Sequence, residues 1–120
     1  METKSALLIQ EDIIMLKILE RLILSRGYSC RAITSLDELD IEDQTASFDF
    51  IICDILFEGI APLEFVAQVQ EIILHKNLVI VTNMGQKNIQ DEIMAMEGVS
   101  GFFPIPFDLE HIETMMEAYE

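Results

Sequence analysis

Short apolar runs alternating with longer amphipathic stretches restrict this chain's fold more than any other feature. Ala6–Ile9, Phe48–Cys53 and Leu78–Val81 read as buried strands, with Tyr28–Ile33 and Gly101–Phe103 as further, shorter ones. Between the first two strands, Asp12 to Arg26 follows a helical period. Ile13, Leu16, Leu19, Leu22 and Ile23 share one face, and Lys17 and Arg21 lie on the other. Gly27 stands where a helix closes on a left-handed residue. Ser35-Leu36-Asp37-Glu38 reads as a capping box opening a short helix, and an acidic, irregular stretch follows from Asp40 to Ser47. Pro62 starts a helix to about Leu74, Gln86 to Met96 is helical, and Asp108 caps a last helix through Tyr119. Five strand–helix units of this kind predict an α/β domain with a parallel sheet covered on both faces.

Composition narrows the function. The chain has 120 residues, the size of one domain, and no apolar run exceeds four residues. A membrane-spanning helix needs about 20, so none is expected despite a mean hydropathy of +0.33. The start of the chain, Met1-Glu2-Thr3-Lys4-Ser5, lacks the long apolar stretch of a signal peptide. The 22 acidic against 7 basic residues give a net charge of −15. Nucleic-acid binding depends on neutralising phosphates with Lys and Arg, and an anionic membrane surface would repel such a chain. Basic protein surfaces and divalent cations are its natural counterparts. Cys30 and Cys53 lie in strand contexts and are expected as free, buried thiols of a cytoplasmic protein.

Ligands of parallel α/β sheets bind beyond the carboxyl ends of the strands. Those ends carry Gln10, Glu11 and Asp12, then Asp54, then Thr82 and Asn83, then Ile105 and Pro106. Clustered carboxylates with room for water suit Mg²⁺. A carboxylate beside such an ion is a fitting phosphoryl acceptor, and a Thr hydroxyl can donate to a phosphoryl oxygen. His75 and His111 are isolated, without ligand spacing, and Met94, Met96, Met115 and Met116 read as core filler.

Six segments together resemble the receiver domain of bacterial two-component response regulators, of the single-domain chemotaxis type. They are Leu7-Leu8-Ile9-Gln10-Glu11-Asp12, Arg26-Gly27-Tyr28, Phe48 through Ile55, Leu63-Glu64-Phe65-Val66, Val79-Ile80-Val81-Thr82, and Gly98 through Phe107. The resemblance covers almost the whole chain as one domain, residues 1–120. It implies a flavodoxin-like (βα)5 three-layer sandwich with strand order 2-1-3-4-5. It implies a non-enzymatic signalling function in a phosphorelay, with a histidine kinase or phosphotransfer protein as partner. On this resemblance Asp54 is the phosphoacceptor and Thr82 the switch hydroxyl. Glu11, Asp54 and the carbonyl of Leu56 hold Mg²⁺. Phe102 takes the place of an aromatic rotamer switch, or is plain core, and Pro106 takes that of a cis-proline.

The departures are as informative. The family's Lys before the cis-proline is Ile105, which has neither charge nor donor. The first member of the acidic pair is Gln10, which weakens the metal site. Asn83 is bulkier than the family's small residue, and Phe57-Glu58 replaces Met-Pro. Asp12 either stabilises a helix N-terminus or substitutes for the charge lost at Gln10. The expectation is a divergent receiver with attenuated switching. The alternatives are a phosphorylation-independent docking module and, more weakly, a small-ligand domain, since the loop after the first strand is acidic and Gly-free. No nucleophile–base–orienter set supports a hydrolase. From Asn88 to Glu120 there are eight acids and no Lys or Arg. A symmetric dimer through helix four, strand five and helix five would set acid against acid and is not expected; that face is either a solvated acidic surface or a docking face for a basic output protein. The chain is either a stand-alone receiver or a receiver from a longer protein.

Overall fold

The computed structural model describes residues 4–83 and 86–119; Met1, Glu2, Thr3 and Glu120, read above from sequence, lie outside it. The strands are β1 (Ser5–Ile9), β2 (Ser29–Ile33), β3 (Ser47–Cys53), β4 (Leu74–Thr82) and β5 (Val99–Pro104). The helices are α1 (Ile13–Ser25), α2 (Ile41–Thr45), α3 (Pro62–Ile72), α4 (Lys87–Met94) and α5 (Leu109–Ala118), with a 3-10 turn at Leu36–Glu38. All strands are parallel, in the order β2-β1-β3-β4-β5, as expected.

The period-2 geometry of strands divides the apolar side chains into two layers. Leu7, Ile9, Ile51, Cys53, Leu78 and Ile80 point to one face, where Phe65, Val66 and Val69 of α3 and Ile93 of α4 cover them. Ala6, Leu8, Phe50, Ile52, Val79 and Val81 point to the other, beneath Leu19, Leu22 and Ile23 of α1 and Ile112 and Met116 of α5. Each fully buried side chain of this size contributes roughly 1.5–3 kcal/mol. Cys30 and Cys53 are free thiols in opposite layers, with β1 between their strands.

Local chemistry sets the helix ends. Asp12 caps α1, its Oδ1 accepting from the Ile14 and Met15 N–H groups at 2.9 and 3.1 Å. Gly27, at φ 85°, closes α1. Its N–H donates to the Leu24 carbonyl at 3.0 Å and that of Tyr28 to Ile23 at 3.4 Å, a Schellman pattern. At the start of β3, Asp49 accepts from the Ser5 N–H at 2.8 Å and pairs with Lys76 at 3.2 Å. Burial alone would raise the Asp49 carboxyl; these contacts outweigh it and hold the group below its ordinary value.

Four expectations are corrected. The 35–38 segment is a 3-10 turn, and Ser35 makes no side-chain cap. Glu38 instead accepts from the N–H and hydroxyl of the preceding Thr34. The stretch from Asp40 to Ser47 is not irregular, because it contains α2, opened by a reciprocal box between Asp40 and Asp43. Asp43 also accepts from Arg31 Nε at 3.2 Å, tying α2 to edge strand β2. The third helix stops at Ile72 and Leu74 opens β4, which places the half-buried His75 on a strand. Ile13, placed on the buried face of α1, is 52% exposed, because the sheet ends below that first turn.

Burial pushes the Cys30 thiol up to about 12, with Glu20 adding to the effect. The thiol stays protonated in the fold while the unfolded chain releases its proton near pH 9. The stabilisation is complete below that pH and is lost as pH rises from about 9 towards 12. Urea midpoints are expected to fall between pH 8 and pH 10, and Cys30→Ala is expected to flatten that slope.

Candidate functional site

Strand register brings three of the strand-end residues together. Ile9 is paired with Cys53, and Cys53 with Ile80. The next residues on β1 and β3 are Gln10 and Asp54, and Thr82 ends β4 beside them. The Asp54 N–H donates to the Ile9 carbonyl at 3.0 Å, and the Gln10 N–H to that of Ile33 at 3.1 Å. Gln10, Asp54 and Thr82 are the polar residues buried at this end of the sheet.

Asp54 is held in one orientation. Its Oδ1 accepts from the Ile55 N–H at 2.6 Å and the Leu56 N–H at 3.1 Å. Among the described residues, nothing donates to Oδ2. Asp54 is 9% exposed, so it sits at the floor of the site and not on its rim. Gln10 is turned back on the chain, its Oε1 accepting from the Asp12 N–H at 3.0 Å. Asp12 caps α1 through Oδ1, as the helix-terminus reading of that residue expects.

Ile105 reaches the site through its backbone. Its N–H donates to the Thr82 carbonyl at 2.7 Å, while its side chain packs against the α1/α5 layer. The Ile105–Pro106 peptide is cis, as expected for Pro106. Phe102 is 9% exposed and packs in the α3/α4 layer. Asn83 is exposed.

Glu11 is exposed and lines a cleft of about 550 Å³ with Thr34, Asp37, Phe57 and Glu58. Phe57 stacks on Phe65 across 4.5 Å, so the Phe at this departure from the Met-Pro pattern anchors the loop after β3. The spacing of the two rings, eight residues apart across a loop, gave no periodic signal of that contact. Among the described residues, no three His, Cys, Asp or Glu side chains gather at metal-holding spacing. No described helix is long and apolar enough to cross a membrane.

The fold is that of many solved receivers. The chemotaxis protein CheY4 of Vibrio cholerae superposes with a TM-score of 0.78 at 18% identity, covering 99% of this chain and 100% of that one. A two-component response regulator from Clostridium difficile gives 0.80 at 15%, covering 98% and 95%. A Burkholderia pseudomallei response regulator, solved with a phosphorylated aspartic acid, a calcium ion and citrate, gives 0.75 at 19%, covering 96% and 70%. No curated protein matches the chain. The family model for the response regulator receiver domain matches residues 6–117. With that match over nearly its whole length and five parallel strands in the order 2-1-3-4-5, the chain belongs to the response regulator receiver domain family.

Proposed function

We propose that residues 1–120 form one receiver domain of a cytoplasmic phosphorelay, with Asp54 as the phosphoacceptor and with switching attenuated by the lack of a cation at position 105. The Asp54 carboxylate carries this reading. Two backbone N–H groups fix Oδ1, and Oδ2 accepts no hydrogen bond among the described residues. An oxygen held open in one orientation is prepared for in-line attack. In transfer from a phosphohistidine of a kinase or phosphotransfer protein, a P–O bond forms to Oδ2 as the P–N bond breaks. The imidazole nitrogen leaves with the electron pair. Thr82, at the end of the adjacent strand, would donate its hydroxyl to a phosphoryl oxygen and move to report it.

Glu11, Asp54 and the Leu56 carbonyl are hard oxygen donors that suit Mg²⁺, an ion commonly bound through one or two carboxylates and several waters. Bound there, it would offset the negative charge that collects as carboxylate and phosphoryl group approach. Gln10 adds no charge, and its Oε1 already serves Asp12. Millimolar Mg²⁺ is expected to give a weak calorimetric binding signal that Asp54→Asn removes without changing the circular dichroism. A signal that survives that substitution would place the metal elsewhere.

Ile105 favours a second reading, in which the domain docks without being phosphorylated. Its side chain completes the α1/α5 layer and offers the site neither charge nor donor. The exposed Asn83 adds bulk beside the acceptor, and Phe102 and Pro106 hold the β5 end of the site in either reading.

A further inference from the structure

Gln10 is 2% exposed at the end of β1, and half of its carboxamide is unused. Its Oε1 accepts from the Asp12 N–H at 3.0 Å. That bond fixes which way the planar group lies, since only the oxygen can meet a backbone N–H. Nε2 therefore lies on the opposite side, with two N–H donors, and makes no hydrogen bond among the described residues. A buried donor without a partner is costly and rare in folded proteins, so it marks a place for an acceptor that arrives from outside. The complement lies on the adjacent strand. Asp54 follows Cys53, the register partner of Ile9, and its Oδ2 accepts nothing among the described residues. An unmet donor and an unmet acceptor thus sit at neighbouring strand ends without bonding each other.

We propose that Gln10 Nε2 is a phosphoryl-binding donor, a neutral one that takes over part of the work of the cation lacking at position 105. The proposal rests on Asp54 as the phosphoacceptor. A phosphoryl group meets both unfilled groups at once: its phosphorus bonds to Oδ2, and one of its oxygens accepts from Nε2. As the P–O bond to Oδ2 forms, the bond from phosphorus to the leaving atom breaks, and that atom departs with the electron pair. Charge on the phosphoryl oxygens then meets the carboxamide, which gives up no proton. Few other side chains can serve. Ile105 has no donor and packs in the α1/α5 layer, and Asn83 is exposed. The Thr82 hydroxyl and the Gln10 carboxamide remain. A carboxylate at position 10 would offer the phosphoryl group no donor and repel it. A neutral donor is weaker than a charged one, which agrees with slow transfer.

Proton–nitrogen NMR of the full chain, with acetyl phosphate and Mg²⁺ in excess and adduct occupancy read by intact mass, tests this. Acetate is then the leaving group. The Gln10 side-chain amide protons, assigned by their absence from Gln10→Met, are expected to move downfield as the adduct forms. Their exchange with solvent is expected to slow about tenfold or more. A purely structural Gln10, bonded only to Asp12, would show neither change. Gln10→Met, which keeps the length of the side chain but has no donor, is expected to slow adduct formation by about threefold to tenfold, the loss of one neutral hydrogen bond. Its Mg²⁺ midpoint is expected to stay within about twofold of wild type, because Nε2 is not a metal ligand. Adduct formation with Gln10 amide protons that neither move nor slow overturns the proposal and leaves water as their partner, while the phosphoacceptor reading stands. A wild-type rate in Gln10→Met overturns it too. Absence of any adduct by mass overturns the phosphoacceptor reading and this proposal with it.

Discussion

Ile105→Lys is expected to speed phosphorylation of Asp54 by acetyl phosphate by roughly tenfold to a hundredfold. The Ile105 N–H is bonded to the Thr82 carbonyl at 2.7 Å, so the backbone of residue 105 is already fixed beside the site. What is missing there is a charged side chain. A charge-assisted hydrogen bond contributes about 1.5–3 kcal/mol, and one made to the incoming phosphoryl group acts mainly in the transition state. The side chain of Ile105 is half-buried, so a lysine can lay its stem where the isoleucine packs and carry its ammonium into the polar end of the sheet. Initial rates of adduct formation, followed by intact mass in both proteins, measure the effect. An unchanged rate would show that position 105 does not limit the chemistry. Attention would then pass to Gln10, where Gln10→Asp adds the second carboxylate.

Phe50→Ala is expected to cost about 3–5 kcal/mol of folding stability, a large part of the roughly 5–15 kcal/mol typical of a domain. Phe50 is 1% exposed at the centre of the α1/α5 layer. Its ring meets Tyr28 edge-on at a centroid distance of 5.8 Å and Tyr119 at 6.3 Å. Truncation removes the buried ring and both aromatic contacts, and three rigid strands around it limit how far the space can close. Ile41→Ala, at a position 80% exposed, is expected to stay within about 0.5 kcal/mol and serves as the control. Urea denaturation of the two variants separates them. A loss below about 1 kcal/mol for Phe50→Ala would mean that the layer repacks around the gap.

β1, β3 and the second half of β4 were legible because their residues are buried on both faces, which writes an almost uninterrupted apolar run into the sequence, whereas edge strand β2 was read from its alternation. The parts that were not legible have local causes. The first half of β4, Leu74–Asn77, alternates exposed Leu74 and Lys76 with half-buried His75 and Asn77. It therefore carries no apolar run. The box that opens α2 uses Asp at both positions, where the usual pattern is Ser or Thr followed by Glu or Gln. Ile13 obeys the helical period but has no sheet beneath it, and periodicity says nothing about where a sheet stops.

At the site, the positions of Gln10, Asp54 and Thr82 followed from strand ends alone. Side-chain direction did not. That Gln10 turns onto the Asp12 N–H, and that one oxygen of Asp54 is fixed by two backbone groups, are rotamer choices made by loop geometry. They bear on the proposed function, in which the first would remove a metal donor and the second would orient the acceptor.

The most direct test of an attenuated acceptor at Asp54 is intact mass after incubation with acetyl phosphate and Mg²⁺, with Asp54→Ala as control. A slowly accumulating, Mg²⁺-dependent adduct of one phosphoryl group on the wild-type chain, absent from the control, is predicted. No adduct on a folded wild-type chain, or an equal adduct on Asp54→Ala, would contradict it.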